Sequence, residues 1–296
     1  MHGDTFFHQP VMVAEVIQHM NLQQDKGFYC DCTVGGAGHL IPMLKATKQA
    51  KFIGIDWDPD AIDYAEKKVR QYEKRCFLFE NTFTNLGLIL DKLNISGLDG
   101  ILFDLGVSYH QLTMPHRGFS FDREGRLLMH MSPGNPTLSR KIRSATKREI
   151  ITVLKEFGDV RNCHKIGTQI FENRKSLKTT LDLRKVIEKT TPKRFLKKNL
   201  HKVFQALRIW VNDEINNLKQ GLLTAFDSLN FRGRIIVISY HSGEDRVVKN
   251  VFRDLQKNGK MILLHKKVLK PTQDEIKNNP RARSAKFRAG EKCVGY

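Results

Sequence analysis

The chain has 296 residues, 40% hydrophobic and 27% charged. That excludes disordered and collagen-like classes and leaves room for one large domain, or one domain with an insertion, whose core needs no disulfide or metal staples. Lys and Arg number 50 against 31 Asp and Glu, a net charge of +19 with a pI near 9.8, which favours a polyanionic partner through attraction and counterion release. The sequence holds no run of about 18 apolar residues, so no membrane partner is expected. The start, Met1-His2-Gly3-Asp4-Thr5, has neither signal-peptide nor transit-peptide character, and a cytoplasmic location is expected.

In chain order, short apolar runs at 28–32, 51–56, 76–80 and 98–104 alternate with helical patterns, the signature of a parallel sheet flanked by helices. Residues 60–72 read as one such helix, with Ile62, Ala65 and Val69 on one face. From Leu112 the pattern changes. Pro115, Gly118, Gly125, Pro133, Gly134 and Pro136 punctuate a loop-rich stretch, after which helices are predicted at 140–156, 162–173 and 181–189, the last capped by Thr180. A further helix from near Val203 carries the stripe Phe204, Leu207, Val211, Ile215, Leu218 and Leu222. Arg208 and Asn212, four apart, share another face, where a ligand or plain solvent fits equally well.

Strand patterning resumes at 234–240, 261–265 and 287–292. The order predicts an α/β fold, with residues 1–111 and 203–296 forming a discontinuous core domain and residues 112–202 a helical insertion. Positive charge clusters in two places. One is Arg184, Lys185, Lys189, Lys193, Arg194, Lys197, Lys198 and Lys202, against Glu188 alone; the other is Arg281, Arg283, Lys286 and Arg288. Two such patches can track a phosphate backbone. The five cysteines show no paired CxxC spacing and read as free thiols, with Cys30 and Cys32 as small buried hydrophobes.

The sharpest constellation is Asp31-Cys32-Thr33-Val34-Gly35-Gly36-Ala37-Gly38-His39, directly after the first strand, with Asp56 ending the second. Small residues let the backbone turn tightly against a ligand, and an acid at the end of the second strand can accept both ribose hydroxyls, so the pair implies an adenosine cofactor. A nicotinamide dinucleotide wants GxGxxG and a pyrophosphate on a helix N-terminus, and that spacing is missing here; a GxxxxGK[ST] phosphate loop is missing as well. S-adenosylmethionine has no phosphate, and its charged amino end and sulfonium suit Asp31. At the end of the fourth strand, Asp104 should point into the crevice. There it can accept an N–H from an amino group about to be methylated and orient the nitrogen lone pair, which makes it the catalytic candidate. His241, Ser242 and Asp245 lie too close in sequence for a hydrolase triad, and His241 with Glu244 lacks a third metal ligand, so no metal site is expected.

Together these segments resemble the bacterial methyltransferases that modify N4 of a cytidine in the decoding region of small-subunit (16S) ribosomal RNA. The resemblance rests on His8-Gln9-Pro10-Val11, the glycine turn with His39, Gly54-Ile55-Asp56-Trp57-Asp58-Pro59, and the stretch from Asp99 to Leu112 with Gly118-Phe119-Ser120-Phe121. It continues in Phe204-Gln205-Ala206-Leu207-Arg208-Ile209, Val211-Asn212, His241-Ser242-Gly243-Glu244-Asp245-Arg246 and the run from Asn279 to Lys286. It implies a class I S-adenosylmethionine-dependent methyltransferase: a Rossmann-like, seven-stranded, mostly parallel sheet with a helical insertion that recognises RNA, and S-adenosylmethionine as cofactor. The implied cofactor pocket comprises Gly35, Gly36, Ala37, Gly38, His39, Asp56, Phe83, Asp104 and Gln111; Phe83 also suits an adenine on its own chemistry. On the substrate side stand Arg208, Asn212, His241, Arg281, Arg283 and Lys286, and the implied partner is small-subunit ribosomal RNA within the assembled 30S subunit. Departures concentrate there: Leu127-Leu128-Met129-His130-Met131-Ser132 stands where the family usually reads Leu-Asp-Met-Arg-Met-Asp, and Gly243 replaces a usual leucine. Two other classes therefore stay open, a non-catalytic RNA-binding assembly factor and a methyltransferase with a protein or small-molecule substrate.

Overall fold

Every apolar run read as a strand forms one in the computed structural model, which describes residues 9–22, 25–106, 109–132 and 134–294; His8, Val107 and Ser108 of the motifs above lie outside these. The strands are β1 (Phe28–Asp31), β2 (Lys51–Asp56), β3 (Cys76–Glu80), β4 (Leu98–Asp104), β5 (Leu229–Ser239), β6 (Met261–Leu263) and β7 (Lys286–Lys292). The helices are α1 (Val13–Met20), α2 (Leu40–Lys45), α3 (Pro59–Val69), α4 (Leu86–Leu93), α5 (Tyr109–Thr113), α6 (Leu138–Ser144), α7 (Lys147–Glu156), α8 (Cys163–Asn173), α9 (Thr180–Thr190), α10 (Lys193–Asn212), α11 (Glu214–Asp227), α12 (Ser242–Lys257) and α13 (Gln273–Asn278). None of the described helices is long and apolar enough to cross a membrane. The chain divides into two units, Met1–Gly106 with Ile215–Tyr296, and Val107–Glu214.

The first unit is the seven-stranded sheet, ordered β3-β2-β1-β4-β5-β7-β6, parallel except at β7, which runs antiparallel to β5 and β6. This is the seven-stranded, mostly parallel α/β sheet that the resemblance implies. Both faces are covered, and consecutive strand residues alternate between them. Tyr29, Phe52, Leu102 and Ile236 join one core with α1, α2 and α3. Cys30, Ile53, Ile101, Phe103 and Ile235 join the other with α4, α11 and α12. The two cysteine sulfurs therefore share a face, 3.6 Å apart and buried. Successive strands go to one side of β1 as β2 and β3 and to the other as β4 and β5, so the order reverses between β1 and β4, where open α/β sheets bind their ligands.

The second unit is helical, its interior built from side chains such as Ile142, Ile150, Leu154, Ile166, Leu183, Val203 and Leu207. Three boundaries differ from the sequence reading, each for a local reason. The helix expected over 140–156 is two, because Ala145 turns extended and Thr146 starts a new N-cap by accepting from the Glu149 N–H. Thr179, not Thr180, caps α9, in a capping box with Asp182; the Thr180 hydroxyl instead donates to the Arg123 carbonyl. The helix expected from near Val203 starts ten residues earlier, at Lys193, and stops at Asp213, whose left-handed φ of 49° breaks it. The single stripe read from Phe204 to Leu222 therefore belongs to two helices, α10 and α11.

Candidate active site

Three carboxylates mark the carboxyl ends of the adjacent strands β1, β2 and β4: Asp31, Asp56 and Asp104. The turn after β1 is fixed by side-chain bonds within it and by bonds to the ends of β2 and β4. Thr33 uses its N–H to bond Asp31 Oδ1, and its hydroxyl accepts the Asp104 N–H at 2.6 Å, tying the ends of β1 and β4 together. Gly35, at φ 48°, donates its N–H to Asp56 Oδ2 at 2.9 Å, while Asp56 Oδ1 takes the Asp58 N–H at 3.0 Å. A β-carbon placed on Gly35 would meet only the Thr33 carbonyl, at 3.9 Å, so the turn presents open space to a ligand. Ala37 is also left-handed, at φ 62°, but fully buried, and it supports the turn from within.

His39 stands at the start of α2, buried, with its Nε2–H donated to the Val11 carbonyl at 2.9 Å; its Nδ1 lies 3.5 Å from Asp104 Oδ2. The other Asp104 oxygen accepts the Tyr240 hydroxyl at 2.8 Å. Burial and the neighbouring Asp104 carboxylate push the Tyr240 phenol far above its ordinary range, so it remains a donor. Asp104 is thus held from two sides. Burial raises Asp31 to about 6, against the opposing pull of His39 and the Thr33 N–H. Burial also raises Asp56 to about 7, with Asp58 and Asp31 adding repulsion. A cluster of three carboxylates repels a pyrophosphate and welcomes hydroxyl donors and positive charge.

Phe83 follows β3 and packs edge-on to Phe103, ring centres 5.4 Å apart, with Trp57 at 6.2 Å. One side of the ring is closed by Gly221 of α11, where a β-carbon would lie 2.3 Å from Phe83 Cδ2. Gly36 and Gly38 lie on the same turn, and Gly38 packs on the Pro10 ring. The structure therefore gathers Gly35, Gly36, Ala37, Gly38, His39, Asp56, Phe83 and Asp104 within one unit, while Gln111, buried on α5, belongs to the other.

Several residues expected on the substrate side are committed to internal bonds. Asn212 is buried and bonds the Met131 N–H through Oδ1 and the Met129 and Arg208 carbonyls through Nδ2, pinning the segment that departs from the family pattern. Arg208 forms a bidentate pair with Glu214, both bonds 2.8 Å. His241 caps α12: its Nδ1 accepts the Gly243 and Glu244 N–H groups, and Glu244 Oε2 reaches back to the Tyr240 and His241 N–H groups in a capping box. Its Nε2 is buried, 2.9 Å from Glu244 Oε1. Lys286 and Arg288 both pair with Asp245, whereas Arg281 and Arg283 are exposed on a 3-10 turn. The sequence reading missed Tyr240 and Gly221 and gave Thr33 no role of its own. Tyr240 carried a usable signal, its place at the carboxyl end of a predicted strand.

The profile of the MraW methylase family matches residues 5–293. The chain belongs to that family. Among its relatives are proteins named ribosomal RNA small subunit methyltransferase H: from Thermotoga neapolitana, 39% identical, covering 97% of this chain and 96% of the relative; from Carboxydothermus hydrogenoformans, 37% identical, covering 97% and 98%; and from Mesoplasma florum, 36% identical, covering 96% and 99%. The methylase uses S-adenosylmethionine, and its donor set fits that molecule. Asp56 would accept the ribose hydroxyls beside its bonds to Gly35 and Asp58, the open Gly35 turn leaves room for the nucleoside, and the Asp31 carboxylate would suit the charged amino end.

Proposed function

We propose that this methylase modifies the exocyclic N4 of a cytidine in small-subunit ribosomal RNA, acting in the cytoplasm on the assembled 30S subunit. S-adenosylmethionine, when bound, supplies the methyl group as an electrophile. The observation that carries the reading is Asp104, set at the switch point and fixed by Tyr240 and the Thr33 hydroxyl. A carboxylate so held accepts one N–H of the cytosine amine, leaves the nitrogen lone pair to form the new bond, and is placed to take the surplus proton afterwards. Tyr240 keeps Asp104 oriented, its hydroxyl donating to the carboxylate. A base must leave its stack to reach such a site, and the basic second unit and exposed Arg281 and Arg283 offer phosphate contacts for that. The names of the relatives support the substrate class. The test is methyl transfer to purified small subunits and to naked ribosomal RNA. Label in N4-methylcytidine from the subunits supports the proposal, and label confined to protein rejects it.

A further inference from the structure

Within the second unit, three helix ends meet at one polar joint. Asn162, before α8, donates to the Thr190 carbonyl at the end of α9, and Asn199 of α10 donates to Asn162 Oδ1 and Thr191 Oγ1. A cleft of about 410 Å³ opens beside this joint, lined by His164, Lys165, Thr168 and Gln169 of α8 with Lys189 and Thr190 of α9. The adjoining first two turns of α10 carry Lys193, Arg194, Lys197 and Lys198, all exposed. No acidic residue occurs between Glu188 and Asp213. Other cations of the cluster are already neutralised: Arg184 by Glu188 and Asp122, Lys202 by Asp159.

Among these cations stands Phe195, 47% exposed. It lies off the buried stripe of its helix, which runs through Leu200, Val203, Phe204 and Leu207. The Arg194 guanidinium sits 4.7 Å from the ring centre. A large aromatic ring left nearly half exposed among exposed positive charges is the arrangement on which an unpaired base stacks while its phosphates are gripped alongside.

We propose that this corner is a single-stranded RNA site, in which Phe195 stacks on an unpaired base of the substrate and the cleft formed by His164, Lys165 and Lys189 holds a neighbouring phosphate. The inference rests on the reading of the chain as an RNA methylase and names a second contact remote in sequence from Asp104. Phe195 is a positioning residue; the chemistry stays at Asp104.

The experiment measures binding of the full chain to a fluorescent single-stranded oligocytidylate over a range of salt, and the KM for small ribosomal subunits. Phe195→Ala weakens oligocytidylate binding about fivefold or more and raises KM, with the salt slope unchanged. Phe195→Trp restores the affinity. Lys165→Gln and Lys189→Gln each weaken binding and lower the salt slope by about one. Calorimetric affinity for S-adenosylhomocysteine is unchanged in every variant, which shows that folding and the cofactor pocket survive. Wild-type affinity and KM in Phe195→Ala overturn the proposal, as does a dimer in light scattering that this variant dissociates, since the ring then serves self-association. Methylation of subunits with no dependence on Phe195 rejects this site and leaves the function standing. Phe195-dependent RNA binding without methylation rejects the function and leaves the site.

Discussion

Cofactor affinity should fall about tenfold between about pH 8 and pH 6, because the ribose acceptor titrates in that window. Burial raises Asp56 to about 7 from an ordinary 3.8. At about pH 6 roughly a tenth of such a group is ionised, and at about pH 8 roughly nine-tenths. The ribose hydroxyls donate, so they bind the ionised form. The dissociation constant of S-adenosylhomocysteine therefore rises roughly tenfold on acidification, and binding at about pH 6 releases close to one proton. Titration calorimetry in buffers of differing ionisation enthalpy reads both quantities. Asp56→Asn should bind weakly and lose most of the pH dependence, the remainder belonging to Asp31, raised by burial to about 6. Folding stability moves in the opposite sense. The unfolded chain ionises these acids from about pH 4 while the folded chain retains the protons to about 6 and 7, so the unfolded state binds fewer protons and stability falls across that interval. A wild-type dissociation constant that is flat from about pH 6 to 8, with no buffer-dependent heat, refutes the reasoning.

Five further substitutions have expected outcomes. Tyr240→Phe removes the bond to Asp104 Oδ1; a bond to a charged group is worth about 1.5–3 kcal/mol, so kcat should drop about 10- to 100-fold with S-adenosylhomocysteine affinity retained. Asn212→Leu strands the Met131 N–H and the Met129 carbonyl, at about 1–3 kcal/mol each, seen as a lower urea midpoint and as new protease cleavage near residues 129–135. Gly221→Ala pushes a β-carbon into Phe83, and overpacking of about 1–3 kcal/mol should surface chiefly as weaker cofactor binding rather than loss of helix by circular dichroism. Arg283→Gln should lower the salt slope of RNA binding by about one, whereas Lys286→Gln, already paired with Asp245, should change it less.

Strand positions were legible because burial on both faces writes continuous apolar runs such as Phe52-Ile53-Gly54-Ile55, and the ends of those runs located Asp31, Asp56 and Asp104 without any coordinates. The helical unit was less so. Some of its helix starts are set by one capping side chain, Thr146 or Thr179, and the periodicity of α10 and α11 is so nearly in phase across Asp213 that two helices read as one. Site chemistry divided along a similar line. Acids at strand ends announce themselves, but whether Arg208, Asn212 or Lys286 faces a ligand depends on partners distant in sequence or on the far side of a helix break, such as Glu214, the 129–131 backbone and Asp245. Tyr240 went unread for the converse reason: a tyrosine after five buried residues looks like one more core side chain until Asp104 is seen 2.8 Å away.

The most direct test is nucleoside mass spectrometry of ribosomal RNA from purified small subunits incubated with the methylase and isotopically labelled S-adenosylmethionine. The account predicts label in N4-methylcytidine with the wild-type chain and its loss in Asp104→Asn, with S-adenosylhomocysteine binding preserved. Label at cytosine C5 or a ribose hydroxyl, or undiminished N4 transfer by Asp104→Asn, would contradict it.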